Sequence, residues 1–342
     1  MKTFRLAIVG AGMITRASHL PAALASPLAE VVAIVDPVVE RASGLAKEYG
    51  LKPRIASRVE EIVEEIDGAV VATPNDSHRE MSVTLLHAGV HVLIEKPLAS
   101  TFEEGLDIVR AGEEAGRIVA VGYSTRFRRS TLLLKQLLAE GYFGAVRRFA
   151  HQFGTSGGWS PLSAYNLHRK TAGGGVLVVT GTHFLDRMLY FWGYPDHVSF
   201  EDDSRGGPEA NCRASFEYTS PEMEGTAQYS KTARLPGGMI IETEGGYVIV
   251  RDADDAEIVL RPHSKPNCEL VVRRRCGSER FESRSVFQLQ LEDFITSCQA
   301  NRAPMVDGRQ GLESLRLIEE LYSTRRQLRE NWYGQATPGF VQ

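Results

Sequence analysis

Five short apolar runs, at residues 4–9, 31–35, 69–72, 92–94 and 118–121, are separated by stretches of helical spacing at 38–49, 77–88 and 102–115. Runs that alternate little between apolar and polar residues are covered on both faces, the condition of strands in a parallel sheet. Repeated strand–helix units then make a doubly wound sheet the expected architecture. Asp76, Ser77 and His78 stand before the second helical stretch as N-cap candidates, and Gly89 stands at its end as a C′ glycine.

Near residue 122 the pattern changes. A helix over 131–140 ends at Gly141, a strand-like run follows at 145–153, and a loop with Gly, Ser and Trp occupies 154–163. From about 198 to 285 several segments alternate, among them 210–218, 237–242, 247–251 and 269–275, and Gly245-Gly246 reads as a hairpin turn. Two helices, at 287–299 and 309–329, close the chain. The expected fold class is α/β. An N-terminal Rossmann domain with a doubly wound parallel sheet spans 1–122, and a C-terminal α+β domain with an open, mainly antiparallel sheet spans 123–342.

A length of 342 residues accommodates two domains. The net charge of -4 argues against nucleic acid or an anionic membrane surface as partner. Cys212, Cys268, Cys276 and Cys298 lie far apart without CxxC spacing, which fits a reducing compartment. Residues 6–9 are too short a run for a signal peptide, and no apolar stretch approaches the roughly 20 residues that span a bilayer. A cytoplasmic protein is expected. His87, His91, His151, His197 and His263 show no metal spacing, so no metal site is expected.

Gly10-Ala11-Gly12 follows the first strand and opens a helix. Glycines there let the backbone turn tightly and approach a pyrophosphate, which the helix N-terminus stabilises. The third position of that fingerprint is Thr15 rather than glycine. Asp36 ends the second strand; its carboxylate would bind a ribose 2′-hydroxyl and repel a 2′-phosphate, which selects NAD over NADP. A helix cap is the alternative role for Asp36. Glu95-Lys96-Pro97 ends the run at 92–94, and ligands of open α/β sheets bind at such strand ends. Lys96 is therefore the candidate catalytic residue.

Several pieces recur in a fixed order: Gly10-Ala11-Gly12-Met13-Ile14 with His19-Leu20-Pro21-Ala22, Ala72-Thr73-Pro74-Asn75 followed by His78, and Glu95-Lys96-Pro97. Gly122-Tyr123-Ser124-Thr125-Arg126-Phe127, Gly173-Gly174-Gly175-Val176 and Gly181-Thr182-His183-Phe184-Leu185-Asp186 come after them. On these pieces nearly the whole chain resembles the Gfo/Idh/MocA oxidoreductase family, which includes glucose–fructose oxidoreductase and inositol dehydrogenase. The resemblance implies an NAD(P)-binding Rossmann domain and a second domain whose open sheet borders the substrate. The other side of that sheet often forms an oligomer interface, so a homodimer or homotetramer is expected.

It further implies redox chemistry at a secondary hydroxyl or ketone of a sugar, amino sugar or cyclitol. The cofactor residues it marks are Gly10, Gly12, Met13, Ile14, Asp36, Thr73, Pro74, Asn75, His78, Glu95, Lys96 and Arg126. The substrate residues are Lys96, Tyr123, Trp159, Arg169, Lys170, Thr180 and His183. Family members typically carry an aspartate four residues before the histidine that matches His183; here that position is Val179.

Hydride transfer from an alcohol needs a base for the hydroxyl proton and a donor for the developing alkoxide. Lys96 supplies both, and His183 shares the proton. A lysine that anchors a loop carboxylate and a buried, backbone-bonded histidine are the structural alternatives. Trp159 packs on a sugar ring or anchors its loop, and Arg169 with Lys170 reads an anionic group or forms a solvated face. Two other functions stay open at this stage: a glycoside hydrolase that cycles bound NAD, and a dinucleotide-binding regulator without chemistry.

Overall fold

The structure is a computed structural model that describes residues 3–157, 172–253, 256–273 and 284–329. Its compact units are not contiguous in sequence. Among the described residues, one unit holds 3–124 and 284–315, and the other holds 125–157, 172–253, 256–273 and 316–329.

The first unit is built on six strands: β1 (Phe4–Val9), β2 (Ala29–Val35), β3 (Arg54–Ala56), β4 (Gly68–Val71), β5 (His91–Ile94) and β6 (Val119–Val121). Their order is β3-β2-β1-β4-β5-β6, and every pairing is parallel. The order reverses between β1 and β4, the switch point at which doubly wound sheets open a crevice. Its helices are α1 (Leu20–Ala25), α2 (Val39–Glu48), α3 (His78–His87) and α4 (Phe102–Ala115), joined late in the chain by α7 (Val286–Ala300). Leu6, Ile8, Ile34, Val70 and Leu93 form one core with Leu291, Phe294 and Ile295 of α7. Such β-branched and leucine-rich strands are the sequence signature of a sheet covered on both faces.

The second unit holds α5 (Arg129–Ala139), α6 (Thr182–Trp192) and a nine-stranded sheet. The strands are β7 (Val146–Gly154), β8 (His197–Asp202), β9 (Asn211–Thr219), β10 (Glu222–Ser230), β11 (Leu235–Thr243), β12 (Gly246–Arg251), β13 (Glu257–Pro262), β14 (Leu270–Arg273) and β15 (Arg325–Gln327). Their order is β14-β13-β12-β11-β7-β10-β9-β8-β15, and only the β7–β10 and β8–β15 pairings are parallel. Alternate residues such as Phe149, Phe216, Tyr229 and Ile241 pack with Phe184 and Leu185 of α6. The expected turn at Gly245-Gly246 joins β11 and β12 in an antiparallel hairpin.

Two local expectations are corrected. The last helix, α8 (Gly308–Ser323), does not run to 329. Residues 325–327 instead form β15 beside β8, and Arg325 Nε bonds Asp202 Oδ1 at 2.8 Å. Ser77 stands at the N-cap of α3, but its hydroxyl donates to Thr73 Oγ1 and the Pro74 carbonyl rather than capping the helix.

Candidate active site

The residues that follow β1, β2, β4 and β5 lie at one edge of the first sheet, because parallel strands end together. Backbone hydrogen bonds lace this edge: Gly10 N–H donates to Val35 O at 2.8 Å, Ala72 N–H to Val9 O at 2.8 Å, and Glu95 N–H to Val71 O at 2.8 Å. Gly10 has φ of +100°, and a Cβ there would lie 2.4 Å from the Ala72 carbonyl oxygen. No other residue type fits that turn. Around Gly12, by contrast, a Cβ would meet nothing within 4 Å. Open space thus lies at the start of the helical stretch, where backbone N–H groups favour an anion.

Thr15, at the third position of the glycine fingerprint, is fully buried and its hydroxyl donates to the Gly10 carbonyl at 2.6 Å. The helix is widened to a π turn over Thr15–His19, so this threonine is accommodated without the close packing a glycine allows. Asp36 is 6% exposed. One carboxylate oxygen accepts the Ala11 N–H at 2.9 Å and the other the Val38 N–H at 2.9 Å. The carboxylate is thereby pinned beside the glycine turn, with lone pairs left over for a further donor. The turn, the exposed helix start with Met13 and Ile14, and this carboxylate fit a dinucleotide with a free ribose 2′-hydroxyl.

After β4 come Thr73, Pro74 and Asn75, with Asn75 in a short 3-10 turn. His78 is fully buried, and both ring nitrogens lie 3.0 Å from backbone carbonyls, Nδ1 from Pro97 O and Nε2 from Thr73 O. Burial lowers its pKa below the usual histidine range, against the opposing pull of those carbonyls. A side chain so placed lies between the turns that follow β4 and β5. Glu95 is 8% exposed: Oε1 lies 2.8 Å from His19 Nε2, and Oε2 accepts the Lys96 N–H at 3.1 Å. Lys96 itself is half-buried.

In the second unit the glycine triplet Gly173-Gly174-Gly175 leads into the helix that carries His183. Its composition follows from crowding: a Cβ on Gly174 would lie 2.1 Å from the Tyr322 hydroxyl, and one on Gly175 would lie 2.1 Å from the Glu209 carbonyl oxygen. The Glu209 carboxylate accepts the N–H groups of Gly175 and Leu177, both at 2.9 Å, and the Tyr322 hydroxyl at 2.9 Å. Burial pushes Glu209 up to about 6 despite these donors. A π turn over Leu177–Gly181 then passes into α6. Between residues 174 and 189 only Val179, Thr180 and His183 escape burial. One face therefore presents His183 and Thr180 beside an apolar Val179.

Arg126 is 2% exposed and holds Asp186 through Nε–Oδ2 and Nη2–Oδ1 bonds of 2.8 Å each, under the ring of Tyr190. This bidentate pair ties the turn at Ser124–Phe127 to α6. Tyr123 is fully buried. Trp159, Arg169 and Lys170 lie outside the described residues. Sequence reasoning missed His19 and Glu209; His19 stood in a quoted motif, but nothing in the sequence joined it to Glu95. Among the described residues no group of His, Cys, Asp and Glu could hold a metal ion, and no helix is long and apolar enough to cross a membrane.

Residues 4–123 match the model of an oxidoreductase family's NAD-binding Rossmann fold, and residues 135–332 match its C-terminal alpha/beta domain. The chain is 33% identical over 192 residues to the 1,5-anhydro-D-fructose reductase of Ensifer adhaerens, a match that spans 54% of this chain and 56% of that protein. It is 25% identical over 355 residues to the D-glucoside 3-dehydrogenase of Escherichia coli (strain K12), across 94% of this chain and 95% of the relative. A levoglucosan dehydrogenase solved in complex with NADH and levoglucosan shares the fold, with a TM-score of 0.83 at 19% identity over 94% of this chain and 97% of its own.

Proposed function

The chain belongs to the Gfo/Idh/MocA oxidoreductase family, and we propose that it is an NAD-dependent enzyme that moves hydride at a secondary hydroxyl or ketone of a sugar, amino sugar or cyclitol. The observation that carries this reading is convergence at one sheet edge. The Gly10–Gly12 turn, the pinned Asp36 carboxylate and Lys96 follow β1, β2 and β5, whose ends share one edge of a parallel sheet. The names of the two curated relatives, a reductase of an anhydro-sugar and a dehydrogenase of glucosides, support a sugar-like substrate.

Bound NAD supplies the hydride acceptor or donor. Gly10, Gly12, Met13 and Ile14 hold its pyrophosphate side, and Asp36 takes a ribose hydroxyl and disfavours a 2′-phosphate. Thr73, Pro74 and Asn75 border the site at the end of β4. Lys96 is the principal acid/base: as the neutral amine it takes the hydroxyl proton on oxidation, and the ammonium so formed keeps its hydrogen bond to the oxygen and returns the proton on reduction. His183 and Thr180 are the half-buried polar residues of their helix face and serve the substrate. With Val179 in place of an aspartate one turn earlier, His183 assists rather than leads.

The same proposal includes a cytoplasmic setting and a homodimer or homotetramer.

Reduction of NAD+, followed by absorbance across a panel of sugars, amino sugars and cyclitols, tests the reaction. Lys96→Ala is expected to abolish turnover and leave NAD+ binding intact. Turnover retained by that variant sinks the assignment of Lys96.

A further inference from the structure

Lys96 sits between two residues that are each held by a buried histidine from a different helix. On its N-terminal side, Glu95 Oε1 meets His19 Nε2 at 2.8 Å, and Glu95 Oε2 accepts the Lys96 N–H at 3.1 Å. On its C-terminal side, the Pro97 carbonyl meets His78 Nδ1 at 3.0 Å. His19 comes from the π turn that follows the glycine loop, and His78 opens α3.

Both ends of this arrangement are closed in. His19 is 4% exposed and lies edge-on to Phe287, with ring centroids 5.2 Å apart. A Cβ on Gly122 would lie 3.0 Å from the Glu95 Cα and 3.2 Å from its carboxyl carbon, so the chain after β6 packs directly on Glu95. His78 reaches beyond the lysine turn: its Nε2 lies 3.0 Å from the Thr73 carbonyl, which links the turn after β5 to the turn after β4. A neutral ring donates to one of these two carbonyls and an imidazolium to both.

We propose that His19 and His78 are positioning residues that clamp the turn bearing Lys96, His19 through the Glu95 carboxylate and His78 through the Pro97 carbonyl. This rests on the reading of Lys96 as the acid/base. The clamp fixes the main chain on either side of a long, flexible side chain, and that is the part of a lysine's placement that the fold controls. Misplacing a reacting group by about 1 Å costs on the order of 100-fold in rate, so the clamp shows in turnover rather than in cofactor affinity. It also connects the glycine loop, by way of His19, to the lysine turn. The two halves of the site are thereby held in one frame.

The test replaces each histidine by phenylalanine, which keeps ring volume and removes the polar contacts, and adds Glu95→Ala and Glu95→Gln. Turnover, substrate KM and NAD+ affinity are measured in each. Hydrogen–deuterium exchange of the peptide spanning 92–99 is followed in cofactor-free protein. The clamp predicts that His19→Phe and His78→Phe lose about 100-fold in kcat with NAD+ affinity within about twofold. It also predicts faster exchange at the Lys96 amide in His19→Phe, and a smaller kcat loss in Glu95→Gln than in Glu95→Ala, because the amide oxygen can accept the Lys96 N–H while the amide NH2 donates to His19 Nε2 once that ring carries its proton on Nδ1.

Wild-type kcat in both phenylalanine variants overturns the clamp, as does a loss of NAD+ affinity equal to the loss of kcat. If His19→Phe does not fold, the Glu95 pair decides that half alone, and equal losses in Glu95→Ala and Glu95→Gln overturn it; if His78→Phe does not fold, His78→Gln and His78→Leu replace it, and equal losses in those two overturn the His78 half. Lys96→Ala separates the two ideas. Turnover in that variant removes the acid/base reading, whereas the exchange at Lys96 still reports whether the clamp exists.

Discussion

At Glu209 burial and hydrogen bonding pull in opposite directions. Two backbone N–H groups and the Tyr322 hydroxyl favour the carboxylate, yet desolvation dominates and raises the group from 4.5 to about 6. A carboxyl whose folded pKa is raised binds more protons folded than unfolded. Its stabilising share is complete below 4.5 and disappears as pH rises through 6, about 2 kcal/mol in all. Urea unfolding of the native protein and of Glu209→Gln at several pH values should show that share as a slope present only in the native protein. Parallel pH dependence in the two proteins would count against it. At this scale the place of Lys96 at a strand end was legible, because Glu95-Lys96 follows the apolar run that forms β5. The contact of His78 with the Pro97 carbonyl, nineteen residues on, was not legible, because no local pattern joins the two residues.

Among the elements, strands with continuous apolar runs and helices with a clean apolar stripe were read to within a few residues. Those are the patterns that burial imposes on sequence. The short strand β3 was invisible because three residues carry no period. The end of α8 was misread for a related reason: the stretch after Ser323 keeps helix-forming residues, and propensity alone would continue the helix. What stops it is Asp202, 1% exposed, which takes Arg325 Nε at 2.8 Å, while β15 pairs with β8. Removing one partner of a buried ion pair strands the other charge. Arg325→Met is expected to lower unfolding free energy by about 3 kcal/mol, read as a drop in denaturant midpoint at unchanged slope. An unchanged midpoint would mean that the pair is solvated in solution. Both π turns, at Thr15–His19 and Leu177–Gly181, also escaped the sequence. Each lies just after a glycine-containing turn at a candidate site, where an inserted residue re-aims side chains that a regular helix would send elsewhere.

For the whole molecule, cofactor choice has a thermodynamic readout. A ligand at about 100 times its Kd stabilises the folded state by roughly 2.7 kcal/mol, so NAD+ should raise Tm measurably. NADP+ at equal concentration should raise it less, because the buried Asp36 carboxylate faces the added phosphate charge. Equal shifts from both would remove the preference for NAD. The sequence by itself determined the two-part α/β architecture, the parallel and the mainly antiparallel sheets, and the positions of the glycine turn, Asp36, Lys96 and His183. These are local consequences of period, chirality and turn chemistry, and such constraints are written residue by residue. Only the tertiary structure decided that α7 returns to the first sheet, since Phe294 and Ile295 would suit any apolar surface. It alone decided that Arg126 belongs to Asp186, sixty residues away, and that two histidines grip the lysine turn. Contacts of that kind depend on which surfaces meet, and a linear pattern of apolar and polar residues does not record it.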